Sequence, residues 1–170
     1  MTGLIILAAG RSNRLGSPKQ NLQFEGRTLL ERAVELGRGR ACNKIIVVPG
    51  ANSNELVPIP GTTLYNKYWA QGMASSIRTG MLKINNNTNI DKVIIMLFDQ
   101  PFVDSIFLDR LINKQAETGK SIIASSCKST TGVPVLFDQS LFTELLSLQG
   151  TAGAKEILRN NAGNIATVPL

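Results

Sequence analysis

Leu4-Ile5-Ile6-Leu7-Ala8-Ala9-Gly10-Arg11-Ser12-Asn13-Arg14-Leu15-Gly16-Ser17-Pro18-Lys19-Gln20 is the stretch from which the rest of the chain can be read. An apolar run gives way to two alanines and a glycine, and then to a basic, glycine-punctuated loop. It reads as a buried strand feeding an anion-binding loop. Gly10 and Gly16 can take positive φ and let backbone N–H groups approach a ligand, while Arg11, Arg14 and Lys19 supply charge for phosphate oxygens. The ordinary alternative is a basic surface turn, but turns seldom need two arginines, a lysine and two glycines together.

The loop matches neither of two common phosphate cradles. Ser17-Pro18 stands where a Walker A motif needs Lys-Ser/Thr, and there is no G-x-G-x-x-G. Pro18 also holds Ser17 extended, so no helix is expected to begin inside the loop.

Working outward, 170 residues are read as one domain, residues 1–170, with enough chain for a real core. No apolar run approaches the length of a membrane span, and no charged leader precedes the first strand, so a cytoplasmic protein without membrane attachment is expected. Of the net charge of +6, most lies between residues 11 and 44, where Arg11, Arg14, Lys19, Arg27, Arg32, Arg38, Arg40 and Lys44 face Glu25, Glu31 and Glu35. That balance favours small polyanions. Aromatic residues make up only 5% and are not interleaved with the cations, so nucleic acid is not the expected partner.

The chain has no histidine, which removes Ser-His-Asp and Cys-His machinery and histidine-ligated zinc. Cys42 and Cys127 are far apart and read as free thiols. Any chemistry must rest on carboxylate, lysine, arginine, backbone amides and a bound metal.

Apolar runs alternate with amphipathic ones, which predicts a three-layer α/β sandwich around a mostly parallel central sheet, a Rossmann-like arrangement. Strands are expected at 4–7, 44–49, 62–65, 91–98, 121–124, 132–137 and, at an edge, 164–168. Helices are expected at 28–38, 74–83, 105–117, 140–148 and 151–160, with at most a short one at 54–57. Thr28 and Glu31 have capping-box spacing, Asp104 can cap the helix after it, and Thr151 is read as opening the last helix. Ser125 to Thr131 reads as a small polar loop, and Pro134 places the following strand at an edge or sheet margin. Trp69 is read as packing.

In open α/β sheets ligands gather outside the carboxyl ends of the strands. Gly10 to Gln20 and Asp99 each follow a strand, so a common parallel sheet puts both on one rim. An aspartate there, beside cations for phosphate, suits Mg²⁺, which takes one or two carboxylates and completes its shell with water and phosphate oxygens. An Asp-x-Pro turn residue is the alternative for Asp99.

Five blocks then stand in a recognisable order: Leu7-Ala-Ala-Gly10 with Arg11, Arg14, Gly16 and Pro18-Lys-Gln20; Gln71-Gly-Met-Ala-Ser-Ser-Ile-Arg-Thr-Gly80; Phe98-Asp-Gln-Pro101; Gly132-Val-Pro-Val-Leu-Phe137; and Gly150-Thr-Ala-Gly-Ala-Lys155. Together they resemble the molybdenum cofactor cytidylyltransferase branch of the molybdopterin nucleotidyltransferase family, which has the nucleoside-triphosphate-transferase fold. The resemblance implies Mg-dependent transfer of a nucleoside monophosphate, CMP from CTP by the Leu-Ala-Ala-Gly variant, onto the terminal phosphate of molybdopterin, with release of pyrophosphate. It implies the backbone of Leu7, Ala8, Ala9 and Gly10 at the base and ribose. It puts Arg14 and the loop amides at the β- and γ-phosphates, Lys19 at the α-phosphate and Asp99 on magnesium, with Arg11 and Ser12 also among the nucleotide-binding residues. Lys19, Asp99 and Arg14 are thus the implied catalytic group.

Gly72, Met73 and Ser76 are implied as the wall by the base and ribose, although a packed helix N-terminus explains them equally. Gln100 either orients a metal-bound water or ribose hydroxyl, or is an ordinary turn amide. A molybdoenzyme or maturation partner that receives the finished cofactor is implied by the family alone. Two positions depart from the pattern: Thr151 stands where the family generally has an acid, and Val133 where close relatives often have histidine. Transfer to another phosphorylated acceptor, and a non-catalytic nucleotide-binding or cofactor-carrier protein, therefore stay open as alternatives.

Overall fold

The computed structural model describes residues 1–9, 19–39, 42–50, 62–87 and 89–170. The expectations for Gly10, Arg11, Ser12 and Arg14, and for a short helix at 54–57, lie outside the described residues.

Strand β1 (Thr2–Ala8) is buried along its whole length. The two sides of its pleat feed two separate cores. Ile5 and Leu7 pack in one, Leu4, Ile6 and Ala8 in the other, which is why the strand is a continuous apolar run rather than an alternating one. A two-residue hairpin, β2 (Gln23–Phe24) and β3 (Arg27–Thr28), leads into helix α1 (Leu29–Gly37). The capping box is formed as the spacing predicts: Glu31 N donates to Thr28 Oγ1 at 3.1 Å and Thr28 N donates to Glu31 Oε2 at 2.8 Å, a cap worth about 1 kcal/mol. Then follow β4 (Lys44–Pro49), β5 (Thr62–Thr63), α2 (Met73–Asn85), β6 (Lys92–Leu97) and α3 (Ser105–Thr118), the last capped by Asp104. The chain closes with β7 (Ile122–Cys127), β8 (Thr130–Asp138), α4 (Phe142–Leu146), α5 (Ala154–Asn160) and β9 (Ile165–Pro169).

The sheet order is β5-β4-β1-β6-β8-β7-β9. Among the described residues, six strands run one way and β8 alone runs against them. Helices α2, α4 and α5 cover one face, α1 and α3 the other. This is the predicted three-layer sandwich, with β9 at an edge.

Three local expectations are corrected. Ser125 to Thr131 is not a loop: β7 and β8 stay paired out to Cys127 and Thr130, and the chain turns at Lys128, whose φ is +55°. Pro134 is not at an edge. β8 lies between β6 and β7, and the proline falls where the pairing jumps from Ala124 with Val135 to Ser125 with Gly132. Its missing N–H sits in a bulge, where no ladder bond is lost. The last helix starts at Ala154 with Gly153 as its N-cap, so Thr151 does not cap it.

The register brings the ends of the parallel strands level. Leu7 pairs with Leu97 and Ala8 with Pro49, so β1, β4 and β6 finish on one rim.

Candidate active site

Two anchors close the ends of the first loop. At its start, Leu7 O accepts from Phe98 N at 3.2 Å, binding the end of β1 to the turn after β6. At its far side Lys19–Asn21 form a 3-10 turn whose Gln20 is fully buried and donates Nε2 to the Ala8 carbonyl at 2.6 Å. The chain that leaves at Ala9 is therefore returned to the same rim by residue 20. That return sets Lys19 against Asp99, with Nζ donating to Oδ2 at 2.7 Å. The side chains are 44% and 28% exposed. A pair this open adds at most about 1 kcal/mol to the fold, and its charges stay accessible to a third ionic group.

The turn that carries Asp99 is tied on several sides. Gln100 Oε1 accepts from Leu97 N at 3.1 Å, its Nε2 donates to Val133 O at 3.0 Å, and its carbonyl accepts from Val103 N. The Gln100 amide thus serves as a turn amide, joining β6 to the bulge of β8. Arg32 of α1 donates to the Pro101 carbonyl at 2.9 Å and also pairs with Glu25.

Beside Asp99 opens a cavity of about 560 Å³. Leu7, Ala9, Leu97 and Phe98 come from the strand ends, Trp69 and Ala70 from the 3-10 turn before α2, and Gly72, Met73 and Ser76 from the start of α2. The walls are mostly apolar, with Ser76 and Asp99 as the polar side chains. Close backbone approach shapes it. Gly72 has φ +106°, and a Cβ there would lie 2.6 Å from Gly150 O. Gly50 lets Trp69 and Ala9 come in, since its Cβ would meet theirs at 2.6 and 2.8 Å. Trp69, half-buried, thus forms part of the cavity wall.

A second cavity, of about 750 Å³, adjoins the first and shares Met73 and Leu97 with it. Its walls are Gly132 and Val133 of β8, the segment Gln149–Glu156, and Arg159. Arg78 of α2 donates to Leu148 O and Ala74 N donates to Gly150 O, so this segment is held against the start of α2. Thr151 and Lys155 line this second cavity.

Of the residues singled out from sequence, the described ones fall in one place. Leu7, Ala9, Gly72, Met73, Ser76 and Asp99 line the first cavity and Lys19 reaches its rim through Asp99. Ala8 is buried in the strand with its carbonyl taken by Gln20, and Gln100 stands behind the turn. Sequence reasoning missed Asn66, 1% exposed, which donates Nδ2 to Ser75 Oγ at 2.8 Å and to Ser76 Oγ at 3.0 Å. One asparagine in a polar loop carries no periodicity, so nothing marked it.

Among the described residues no group of three His, Cys, Asp or Glu side chains is placed to hold a metal. An ion here would be held by Asp99 with ligand oxygens and water, the mode that suits Mg²⁺ on a triphosphate. Lys19 engages one carboxylate oxygen, and a carboxylate has a second. The donor set fits.

A family model described as MobA-like NTP transferase domain matches residues 4–165. Nicotine blue oxidoreductase of Paenarthrobacter nicotinovorans is 30% identical over 166 residues, 91% of this chain and 80% of that protein. Molybdenum cofactor cytidylyltransferase of Escherichia coli K12 is 33% identical over 82 residues, 45% of this chain and 42% of that protein. Among solved structures, Rv0371c of Mycobacterium tuberculosis H37Rv is similar with a TM-score of 0.84 at 25% identity, covering 99% of this chain and 87% of that one. The same protein in complex with manganese gives 0.81 at 21% identity, covering 99% and 88%.

Proposed function

This chain belongs to the MobA-like NTP transferase family, and from that premise we propose that it transfers CMP from CTP to the terminal phosphate of a molybdopterin-type acceptor and releases pyrophosphate. The observation that carries the reading is the meeting of Lys19 and Asp99 at 2.7 Å on the rim of an apolar cavity. A cation and a carboxylate in contact can part to receive one triphosphate, with its oxygens on the lysine and its metal on the aspartate. The base lies in the first cavity, against Leu7, Ala9, Gly72, Met73 and Ser76, with Gly10 contributing backbone and Ala8 held behind them by Gln20. The acceptor lies in the second cavity, with its phosphate reaching the first past Met73.

Lys19 neutralises the α-phosphate as an acceptor phosphate oxygen bonds to the α-phosphorus and the bond to the bridging oxygen of pyrophosphate breaks. Arg11, Ser12 and Arg14 take the β- and γ-phosphates. Asp99 would hold Mg²⁺, which supplies charge neutralisation on the triphosphate. Such a displacement asks mainly for positioning and charge compensation, which a chain without histidine can provide. The product is a finished nucleotide cofactor, so a molybdoenzyme or maturation protein would take it from this enzyme.

The test is to follow pyrophosphate with Mg²⁺, each nucleoside triphosphate and molybdopterin. Release that needs CTP and molybdopterin together supports the reading; none with any nucleotide or acceptor overturns it. Release with a sugar or polyol phosphate would reassign the acceptor. Tight CTP binding with the triphosphate left intact would make the chain a carrier. The name of the Paenarthrobacter relative suggests a redox alternative. Reduction of a dye substrate matched by oxidation of an added nicotinamide reductant, with no pyrophosphate released, would favour it.

A further inference from the structure

Behind Ser76, beneath the first cavity, lie Asn66 and Ser75, buried polar residues to which the nucleotide chemistry set out above gives no role. Asn66 sits before the Trp69 turn. Its backbone N–H donates to Pro49 O at 3.1 Å, at the end of β4, and its carbonyl accepts from Trp69 N. Its side chain reaches α2. Oδ1 accepts from the backbone N–H of Tyr68 at 3.0 Å, and Nδ2 donates to both Ser75 Oγ and Ser76 Oγ. A backbone N–H can only donate, so the end of the amide facing Tyr68 must be oxygen and the end facing the serines must be nitrogen. The amide cannot turn over.

The two serines are then placed differently. Ser75 Oγ accepts from Asn66 and passes its proton to Tyr68 O at 2.9 Å and Gly72 O at 2.8 Å, so its hydrogen bonding is complete within the protein. Ser76 Oγ also accepts from Asn66 and is 2% exposed, and it lines the cavity. The Gly72 carbonyl, one helical turn back, already accepts from Ser75 N and Ser75 Oγ. With one lone pair committed to Asn66, the Ser76 proton has its natural outlet in the cavity.

We propose that Asn66 is a positioning residue that fixes Ser76 as a hydrogen-bond donor to the bound base, so that the cavity selects a base presenting an acceptor there. This rests on the reading of the first cavity as the base site. Cytosine offers an unprotonated ring nitrogen, N3, where uracil offers N–H. A Ser76 whose proton is given no acceptor by Asn66 pairs with the first; to take the second it must offer its remaining lone pair and leave that proton unpaired in a buried site. The discrimination therefore originates one residue behind the cavity wall, in an amide that touches no nucleotide.

Asn66→Asp is nearly isosteric and tests the polarity. Above neutral pH a carboxylate there keeps the bond from Tyr68 N–H but can only accept from Ser76, so the hydroxyl proton turns away from the cavity. The measurement is the ratio of kcat/KM for CTP to that for UTP in the parent, Asn66→Asp, Ser76→Ala and the double variant. The expected result is a ratio lowered about tenfold in Asn66→Asp, the worth of one buried hydrogen bond. Ser76→Ala should also lower it, and the double variant should resemble Ser76→Ala, because Asn66 acts through Ser76.

An unchanged ratio in Asn66→Asp, with CTP and UTP slowed alike, makes Asn66 merely structural and overturns the proposal. If Asn66→Asp does not fold, Ser76→Ala alone decides: a parental ratio there overturns it and a lowered one supports it. A parent protein that uses neither nucleotide removes the base-site reading itself, and this inference with it.

Discussion

The two adjoining cavities are built in different ways. The first is assembled from strand ends held level by the sheet, from a helix start pinned from below by Asn66, and from a turn tied by Gln100. Its polar groups are either buried and held by a neighbour, as Ser76 is by Asn66, or paired, as Asp99 is. The second is walled largely by one segment, Gln149–Glu156, and its charged side chains Lys155, Glu156 and Arg159 are exposed. A pre-built pocket suits a constant ligand, because its groups need no reordering on binding. A pocket made from one loop can be remodelled without disturbing the sheet. In our account the first cavity holds the nucleotide and the second determines what receives it.

The contrast can be broken most sharply at the rim. Lys19→Ala and Asp99→Ala should each reduce pyrophosphate release by about a hundredfold or more, as expected for loss of charge compensation. Their thermal midpoints should stay close to the parent's, because the exposed pair holds little stability. Parental rates would remove the rim from the chemistry. Gly72→Val attacks the partition between the cavities. It puts a branched side chain at φ +106° against Gly150 O and should cost about 1–3 kcal/mol in denaturant unfolding, where an unchanged midpoint would refute the close approach.

Lys155→Ala combined with Arg159→Ala sharpens the comparison instead. We expect KM for the acceptor to rise about tenfold, for the loss of one or two charge-assisted contacts, while KM for CTP moves little; equal rises in both would mean the cavities are not separate sites. The smallest effect lies away from both. Burial, with Asp109 adding, pushes the Cys42 thiol from its ordinary 9.0 up to about 12. The folded state therefore keeps a proton that the unfolded chain releases, and stability is full below about pH 9 and falls as pH rises towards 12. Cys42→Ala should flatten that decline in a melting series, and a parental slope would contradict it.

Much of this arrangement was legible in the residues. β1, β4 and β6 announced themselves as uninterrupted apolar runs because helices cover both faces of the sheet. α1 and α3 announced their starts because Thr28, Glu31 and Asp104 do at those sites what their chemistry favours. Where an expectation failed, a local signal was outweighed by its surroundings. Ser126 to Thr131 is polar because the β7–β8 hairpin runs out toward solvent, while Ser125 is buried and donates to Gly132 O, and polarity there looked like a loop. Pro134 suggested an edge because a ladder bond cannot survive it, but the bulge at Val133 and Pro134 removes the need for one. Thr151 looked like a cap, yet α5 starts at Ala154 with Gly153 as its N-cap, where an added Cβ would press on Met73 Sδ at 2.9 Å. Asn66 was invisible because its role depends on two serines on another element.

The most direct measurement of the central claim is a crystal structure with CTP and manganese. The account predicts the base in the first cavity within hydrogen-bond reach of Ser76, and the phosphates between Lys19 and Asp99, with the ion on the Asp99 carboxylate. Electron density placing the triphosphate away from both side chains, or the ion on groups that exclude Asp99, would contradict it.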